Sequence, residues 1–187
     1  MLQIRQALPT DANAIAPIML MAMEDIIYYF IGERHQQKAI TFLAHQIAQT
    51  GNQYSYEHII VAEEDGSIIG QICLYRGDAL EQLRAPILSY LNAHFNRELN
   101  FGNETQAGEV YIDTLAVSAA ARGKGIGKIL LLYAIDLFVY RQKEVLGLLV
   151  DKENPKAQKL YLNMGFKPVR DVELFEKELT HLQFSLP

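Results

Sequence analysis

The segment 122–128 combines glycine with basic side chains in a pattern that suits the binding of phosphate groups. Its residues are Arg122, Gly123, Lys124, Gly125, Ile126, Gly127 and Lys128. An apolar run typical of a β-strand precedes it, and a long apolar helix pattern follows, from Ile126 to about Tyr140. Glycines let a ligand approach the backbone, the first helical turn has unpaired N–H groups, and arginine can grip a phosphate through two parallel hydrogen bonds. We therefore expect this turn to bind a diphosphate.

Two familiar nucleotide-binding motifs do not fit this turn. A Walker A motif needs Ser or Thr after its Gly-Lys pair, whereas Ile129 follows Lys128 here. The dinucleotide motif Gly-x-Gly-x-x-Gly is one residue longer than the spacing found here. The remaining alternative is a structural glycine turn with a solvated basic face. The charges at the turn and the residues further along the chain favour ligand binding.

Asp113 is a further candidate for a role in catalysis, because it interrupts the apolar strand pattern 110–117. A carboxylate in apolar surroundings has a raised pKa, which suits a general base near neutral pH. Tyr111 lies on the same face of the strand by the two-residue alternation of side chains. A structural pairing of Asp113, or exposure to solvent, is equally compatible with the sequence. Glu109, near the start of the strand, is a weaker candidate for the base.

Length, charge and cysteine content narrow the class of protein. A chain of 187 residues fits a single domain, and its net charge of −5 argues against general nucleic-acid binding. Cys73 lies in an apolar run and is expected to be a packed thiol. The N-terminus lacks a signal-peptide pattern and the apolar stretch 15–31 carries two acidic residues, so we expect a cytoplasmic protein without a membrane partner. The five histidines show no metal-site spacing, so no metal is expected.

These residues must be positioned by an alternating set of helices and strands. The predicted helices cover residues 12–29, 33–49, 80–91, 126–140 and 155–164, and the predicted strands cover 2–7, 58–63, 67–75, 110–117, 145–150, 166–169 and 184–186. The apolar run 145–150 is typical of an inner parallel strand, and the helix 126–140 should be buried on more than one side. A polar stretch at 96–108 predicts a long loop.

The segment 112–169 resembles the acetyl-CoA-binding core of the GNAT superfamily of N-acetyltransferases. The family's glycine signature is Gln or Arg, two residues, Gly, one residue, then Gly or Ala, and it matches Arg122, Gly125 and Gly127. A second signature matches Asn154, Ala157, Tyr161, Gly165 and Phe166. The resemblance implies an α/β (α+β) fold with a central mixed, mostly antiparallel sheet, a parallel splayed strand pair and flanking helices. It also implies one domain, 1–187, with an insertion at about 76–108.

The resemblance further implies that acetyl-CoA is the cosubstrate. Its diphosphate would bind the 122–128 turn, its pantetheine arm would lie along Leu115, Ala116 and Val117, and Asn154 would hold that arm through its side-chain amide. Tyr161 would act as the general acid that protonates the leaving thiolate.

The expected reaction is acetyl transfer to a primary amine, of a small molecule or a peptide, by direct attack in a ternary complex. A non-catalytic acyl-CoA-binding module and an acetyltransferase for protein N-termini or lysines are the alternatives. Tyr28, Tyr29 and Tyr111 are candidates for the acceptor pocket, although core packing of the first two is the simpler interpretation. The insertion can supply a lid, an acceptor-site wall or a homodimer contact.

Overall fold

The sheet has seven strands in the spatial order β1-β2-β3-β4-β5-β7-β6, in a computed structural model that describes residues 1–186. The strands are β1 (Leu2–Gln6), β2 (Ile59–Glu64), β3 (Ser67–Arg76), β4 (Val110–Val117), β5 (Leu146–Asp151), β6 (Lys167–Leu174) and β7 (Lys177–Phe184). The β4–β5 pair is parallel and every other neighbouring pair is antiparallel. This mixed sheet with one parallel pair confirms the predicted fold class.

Five α-helices flank the sheet. They are α1 (Ala12–Ile31), α2 (Gln36–Ala48), α3 (Leu80–Phe95), α4 (Ile126–Ala134) and α5 (Pro155–Asn163). Gly32 ends α1 in the left-handed conformation at φ 77°, as expected for a glycine at a helix C-terminus. Asn154 caps α5 and Pro155 occupies its first position. The predicted helix boundaries differ from these by a few residues at most, except at the C-terminal end of the 126–140 helix.

The helices cover opposite faces of the sheet and create two main cores. Alternate residues of β2 point to different faces, so that Val61 packs in the core formed with α1 and α2, whereas Ile60 and Ala62 pack in the core formed with α4. Cys73 lies fully buried in the first core, which confirms the packed thiol. The apolar strand β5 is covered on both faces, as its continuous hydrophobic run predicts.

Strands β4 and β5 pair over only three positions and then separate. Val110 to Ile112 lie beside Leu146 to Leu148, and no pairing continues beyond Ile112. At the same point, β4 has one more residue than β3, because Cys73 lies opposite Thr114 whereas Leu74 lies opposite Ile112. Asp113 is the extra residue of this β-bulge. A bulge bends its strand and redirects side chains, which accounts for the opening between β4 and β5.

Three predicted elements are corrected by the structure. The helix predicted over 126–140 is α-helical only to Ala134 and then widens into a π-helix over Ile135–Arg141. Its outer side chains Leu132, Tyr133 and Tyr140 are exposed, so it is less buried than expected. The short closing strands at 166–169 and 184–186 are instead the eight-residue strands β6 and β7. β6 is an edge strand and mostly exposed, so its residues do not show the apolar alternation that identifies a half-buried strand.

One helical stretch, Pro9–Ile31, is long and apolar enough to cross a membrane by length and composition, with a mean hydropathy of 1.6. In the structure, 56 % of the apolar 18-residue segment within this stretch is buried inside the protein, as in the core helix of a folded domain. The absence of a membrane partner therefore stays a prediction.

Candidate active site

A cavity of about 670 Å³ lies where β4 and β5 separate. The walls formed by these strands are Tyr111, Asp113, Thr114 and Leu115 of β4 and Leu149, Val150 and Asp151 of β5. Asn154, Ala157 and Tyr161, at and within α5, form a further wall. The remaining walls come from α1, from the segment between α2 and β2, from the loop before β4 and from the β6–β7 hairpin. The structure therefore brings Asp113 and Tyr161, which are far apart in sequence, to one cavity.

Asp113 has the character of a general base. Its Oδ1 accepts a hydrogen bond of 3.2 Å from the hydroxyl of Tyr75, and its buried Oδ2 has no partner among residues 1–186. Burial, and next the nearby carboxylate of Glu104, raise the pKa of Asp113 to about 7. A carboxylate with this pKa is partly ionised at neutral pH and can accept a proton there.

Tyr161 has the character of a proton donor. Its ring packs edge-on against Phe166 at a centroid distance of 5.8 Å, which fixes the side chain on the cavity wall. Burial raises the pKa of Tyr161 to about 12. The phenol is therefore protonated throughout the physiological pH range. A protonated hydroxyl on the wall of a cavity can donate to a leaving group that develops negative charge.

The glycine turn has the backbone geometry of an open anion site. Gly123 and Gly125 have φ angles of 78° and 80°, which favour glycine, and no atom lies within 4 Å of the position that a Cβ would take on either residue. The Ile129 N–H donates to the Gly125 carbonyl at 3.0 Å, and this is the first helical hydrogen bond of α4. The N–H groups of the preceding turn therefore have no helical partner.

Three basic side chains add positive charge to this turn. Arg122, Lys124 and Lys128 are exposed, and none of them makes an ion pair within the described chain. Ile126 is buried under the turn, so it can offer a ligand only its backbone. These features fit the diphosphate of coenzyme A, with N–H groups and cations converging at the start of a helix.

The predicted cofactor-binding residues fall into two places. Leu115 and Asn154 line the cavity, whereas the turn itself and the strand residues Ala116 and Val117 do not. The Oδ1 of Asn154 accepts from the Ala157 N–H at 3.1 Å, so its amide Nδ2 is the atom left to donate to a ligand. The Val117 side chain lies 3.7 Å from the position of a Cβ on Gly127, which links the end of β4 to the turn.

The candidate acceptor-pocket tyrosines are placed differently from one another. Tyr111 is buried and lines the cavity. Tyr28 donates to Glu24 at 2.7 Å and Tyr29 is 45 % exposed, and neither lines the cavity. Their neighbour Phe30 does. α1 leaves helical geometry at Met23, with φ −142° and ψ 31°, so helical spacing counted from its start does not identify the side chains that face the cavity.

The sequence did not reveal which residues of the polar loop before β4 contribute to the cavity. Phe101 and Glu104 of this loop line the cavity, and the buried Arg84 of α3 holds the loop in place. Its guanidinium pairs with Glu104, donates to Asn103 Oδ1 at 3.0 Å and lies 4.5 Å from the Phe101 ring centroid. The region 76–108 therefore supplies part of the cavity wall, one of the roles expected for it. No sequence pattern marks these residues, because their pairing depends on tertiary packing.

Glu109 is a structural residue of the described fold. It accepts hydrogen bonds from His181, Gln183 and Thr105 at 2.7–2.8 Å and does not line the cavity. Burial alone would raise the pKa of Glu109, but these hydrogen bonds outweigh it and lower the pKa. The geometry therefore favours Asp113 over Glu109 as the base.

Comparison with known proteins agrees with this geometry. A model of the GNAT acetyltransferase family matches residues 22–166. A crystal structure described as an acetyltransferase is 31 % identical, with a TM-score of 0.82 over 99 % of this chain and 100 % of that chain. An N-acetyltransferase from Staphylococcus aureus shares the fold, with 24 % identity and a TM-score of 0.81 over 97 % of this chain and 100 % of that one.

A curated relative, the mycothiol acetyltransferase of Beutenbergia cavernae, is 32 % identical over 84 residues. The match covers 45 % of this chain and 25 % of that protein's length. The family match covers the splayed strands, the glycine turn and the tyrosine of α5 together. The chain belongs to the GNAT family of acetyltransferases.

Proposed function

We propose that this protein transfers an acetyl group from acetyl-CoA to a primary amine by direct attack in a ternary complex. The observation that carries the proposal is the cavity between the separated strands β4 and β5, which Asp113 and Tyr161 line from different walls. Acetyl-CoA supplies the activated thioester. The 122–128 turn would hold its diphosphate, and Leu115 and Asn154 would hold the arm that leads into the cavity.

The two polar side chains have complementary roles. Asp113, with a pKa of about 7, accepts the proton that the acceptor ammonium must lose before it can attack. Tyr161 donates a proton to the leaving thiolate. A direct transfer needs no nucleophilic side chain, and the only cysteine, Cys73, is buried with a raised pKa. In this proposal the protein acts in the cytoplasm on an amine of a small molecule or a peptide, without a nucleic-acid or membrane partner.

The test compares the wild type with Tyr161→Phe, measuring release of free CoA thiol with a panel of primary amines and measuring CoA affinity by calorimetry. We expect kcat to fall by about 10²–10⁴-fold, because a proton donor in the transition state is lost. CoA affinity should change little, because the proposed contacts to the diphosphate and the pantetheine arm do not involve the phenol, and a thiol is only a weak hydrogen-bond partner for it.

A wild-type protein that binds CoA but acetylates no amine would support the alternative, a non-catalytic acyl-CoA-binding module. A Tyr161→Phe variant with wild-type turnover would refute the role of Tyr161 as general acid.

A further inference from the structure

One part of the cavity wall contains a cluster of aromatic rings. Phe30 of α1, Phe101 of the loop before β4 and Phe175 of the β6–β7 turn all line the cavity. The Phe30 and Phe101 rings stack at 5.2 Å, and Phe175 lies 5.0 Å from Phe101 and 6.2 Å from Phe30, measured between centroids. We call these three residues the aromatic wall. Met23 and Ile26 of α1 extend this apolar surface.

The turn that presents Phe175 is unfavourable for its own side chains. Phe175 and Glu176 form the two-residue connection between β6 and β7 and have φ angles of 53° and 60°. Two-residue hairpins of this kind strongly prefer Asn-Gly or Asp-Gly, and an aromatic residue at positive φ is an outlier. Strain of this type costs about 1–3 kcal/mol per residue and tends to occur at ligand-binding sites. The strained turn directs an aromatic ring onto the cavity where an Asn-Gly turn would leave none.

The charges near the aromatic wall can neutralise one cationic group of a ligand. Glu104 is largely buried and already paired with Arg84, so Asp113 supplies the carboxylate oxygen without a partner in the described structure. On the other side, Asp151 pairs with Lys177 at 3.2 Å and Glu153 is exposed. A second cationic group of a polyamine would therefore lie against the aromatic wall without a carboxylate beside it, and the Phe101 ring already carries the Arg84 guanidinium at 4.5 Å from its centroid.

Resting on the proposed function, we infer that the acetyl acceptor is a monoamine carried on an aromatic or aliphatic body, and that Phe175 is a specificity-determining residue. The amine lies toward Asp113 and the nonpolar body packs on the aromatic wall. Ring-to-ring packing adds to the burial of apolar area, so an aromatic body gains the most.

The test uses 2-phenylethylamine and ethylamine, which share the amine and differ in the nonpolar body. Binding is measured by calorimetry on the full chain saturated with CoA, and turnover is measured with acetyl-CoA. We expect wild type to favour 2-phenylethylamine by at least about ten-fold in both affinity and kcat/KM. The double substitution Phe175→Asn with Glu176→Gly replaces the strained turn by Asn-Gly and should abolish this preference, while CoA affinity stays within about two-fold.

Glu176→Gly alone is the matched control, because it relaxes the turn and keeps the ring. It should retain the preference and raise Tm. If the double variant does not bind CoA, Phe101→Leu is used instead and should reduce the preference.

A wild type that acetylates spermidine or a lysine peptide better than 2-phenylethylamine overturns this inference and leaves the proposed function standing. A preference for 2-phenylethylamine that survives loss of the Phe175 ring also overturns this inference and leaves the proposed function standing. A protein that acetylates no amine at all overturns both.

Discussion

Asp113 differs from the other carboxylates of the described chain in having a buried oxygen without a hydrogen-bond partner. Its position in the β-bulge explains this, because the bulge removes it from the regular alternation of β4 and the strands beside it separate. A second carboxylate nearby, that of Glu104, adds to the effect of burial on the Asp113 pKa. The residue is therefore costly for folding and useful for chemistry.

The pKa of Asp113 predicts how stability depends on pH. Its folded-state pKa of about 7 lies above the ordinary value of 3.8, so the folded protein binds more protons between these values. The stability that this group contributes is complete below about pH 4 and is lost as pH rises toward about 7. Asp113→Asn removes this titration, so its free energy of unfolding should improve relative to wild type by about 4 kcal/mol between pH 4 and pH 8.

Urea unfolding at several pH values measures this difference, with the exposed Glu81→Gln as a matched control that should follow wild type. We expect kcat/KM of wild type to rise with pH up to about pH 7, and the same Asp113 variant should lose this rise. A difference in stability that does not change with pH would contradict the raised pKa.

At this scale the sequence predicted some residues and not others. Asp113 and Tyr161 were recognisable, the first as a carboxylate in an apolar strand and the second through the family signature. Glu104 and Phe175 were not recognisable, because a polar loop and a charged edge hairpin contain no periodicity that reveals which side chains turn inward.

We expect cosubstrate binding to depend on the glycine turn. Arg122→Ala should weaken CoA binding by about 1.5–3 kcal/mol, because charge-assisted hydrogen bonds to the diphosphate are lost. Gly125→Val should be more damaging, because a β-branched residue is strained at a φ of 80° and the start of α4 would shift.

Calorimetric titration with CoA measures both effects. Lys38→Ala, which removes an exposed cation on α2, is the matched control and should bind CoA normally. Normal CoA affinity in both turn variants would mean that the diphosphate binds elsewhere.

The loop before β4 depends on Arg84. Arg84→Met leaves the Glu104 carboxylate buried without its cation, so it should cost about 3–5 kcal/mol in the free energy of unfolding. The double variant Arg84→Met with Glu104→Leu removes the charge as well and should recover most of that loss. Denaturant unfolding of the two variants shows whether the pair stabilises the fold through its charges or through packing. Equal losses in both would show that the pair stabilises through packing rather than through charge.

Among the elements, the predictions succeeded where burial imposes a pattern. The helices α1 and α2 and the strand β4 were identified from hydrophobic spacing and helix-end residues. The widening at Ile135–Arg141 and the full length of β6 and β7 were not predicted. Both depend on tertiary contacts rather than on local propensity.

The whole molecule combines two sites that the fold places at the same end of the β4–β5 opening. Four residues, 118–121, separate the end of β4 from the glycine turn, and the cavity lies between β4 and β5. The mixed, mostly antiparallel sheet with one parallel pair was expected from the resemblance that the motifs indicated, whereas the strand order was not predicted. The shape of the acceptor side did not follow, because α1, the loop before β4 and the β6–β7 hairpin come from distant parts of the chain.

The most direct test of this account is a crystal structure of the protein with coenzyme A bound. We predict the diphosphate on the backbone of the 122–128 turn and the sulfur in the cavity between β4 and β5, within hydrogen-bonding reach of the Tyr161 hydroxyl. Coenzyme A bound at another surface, or a sulfur that lies outside this cavity, would contradict the account.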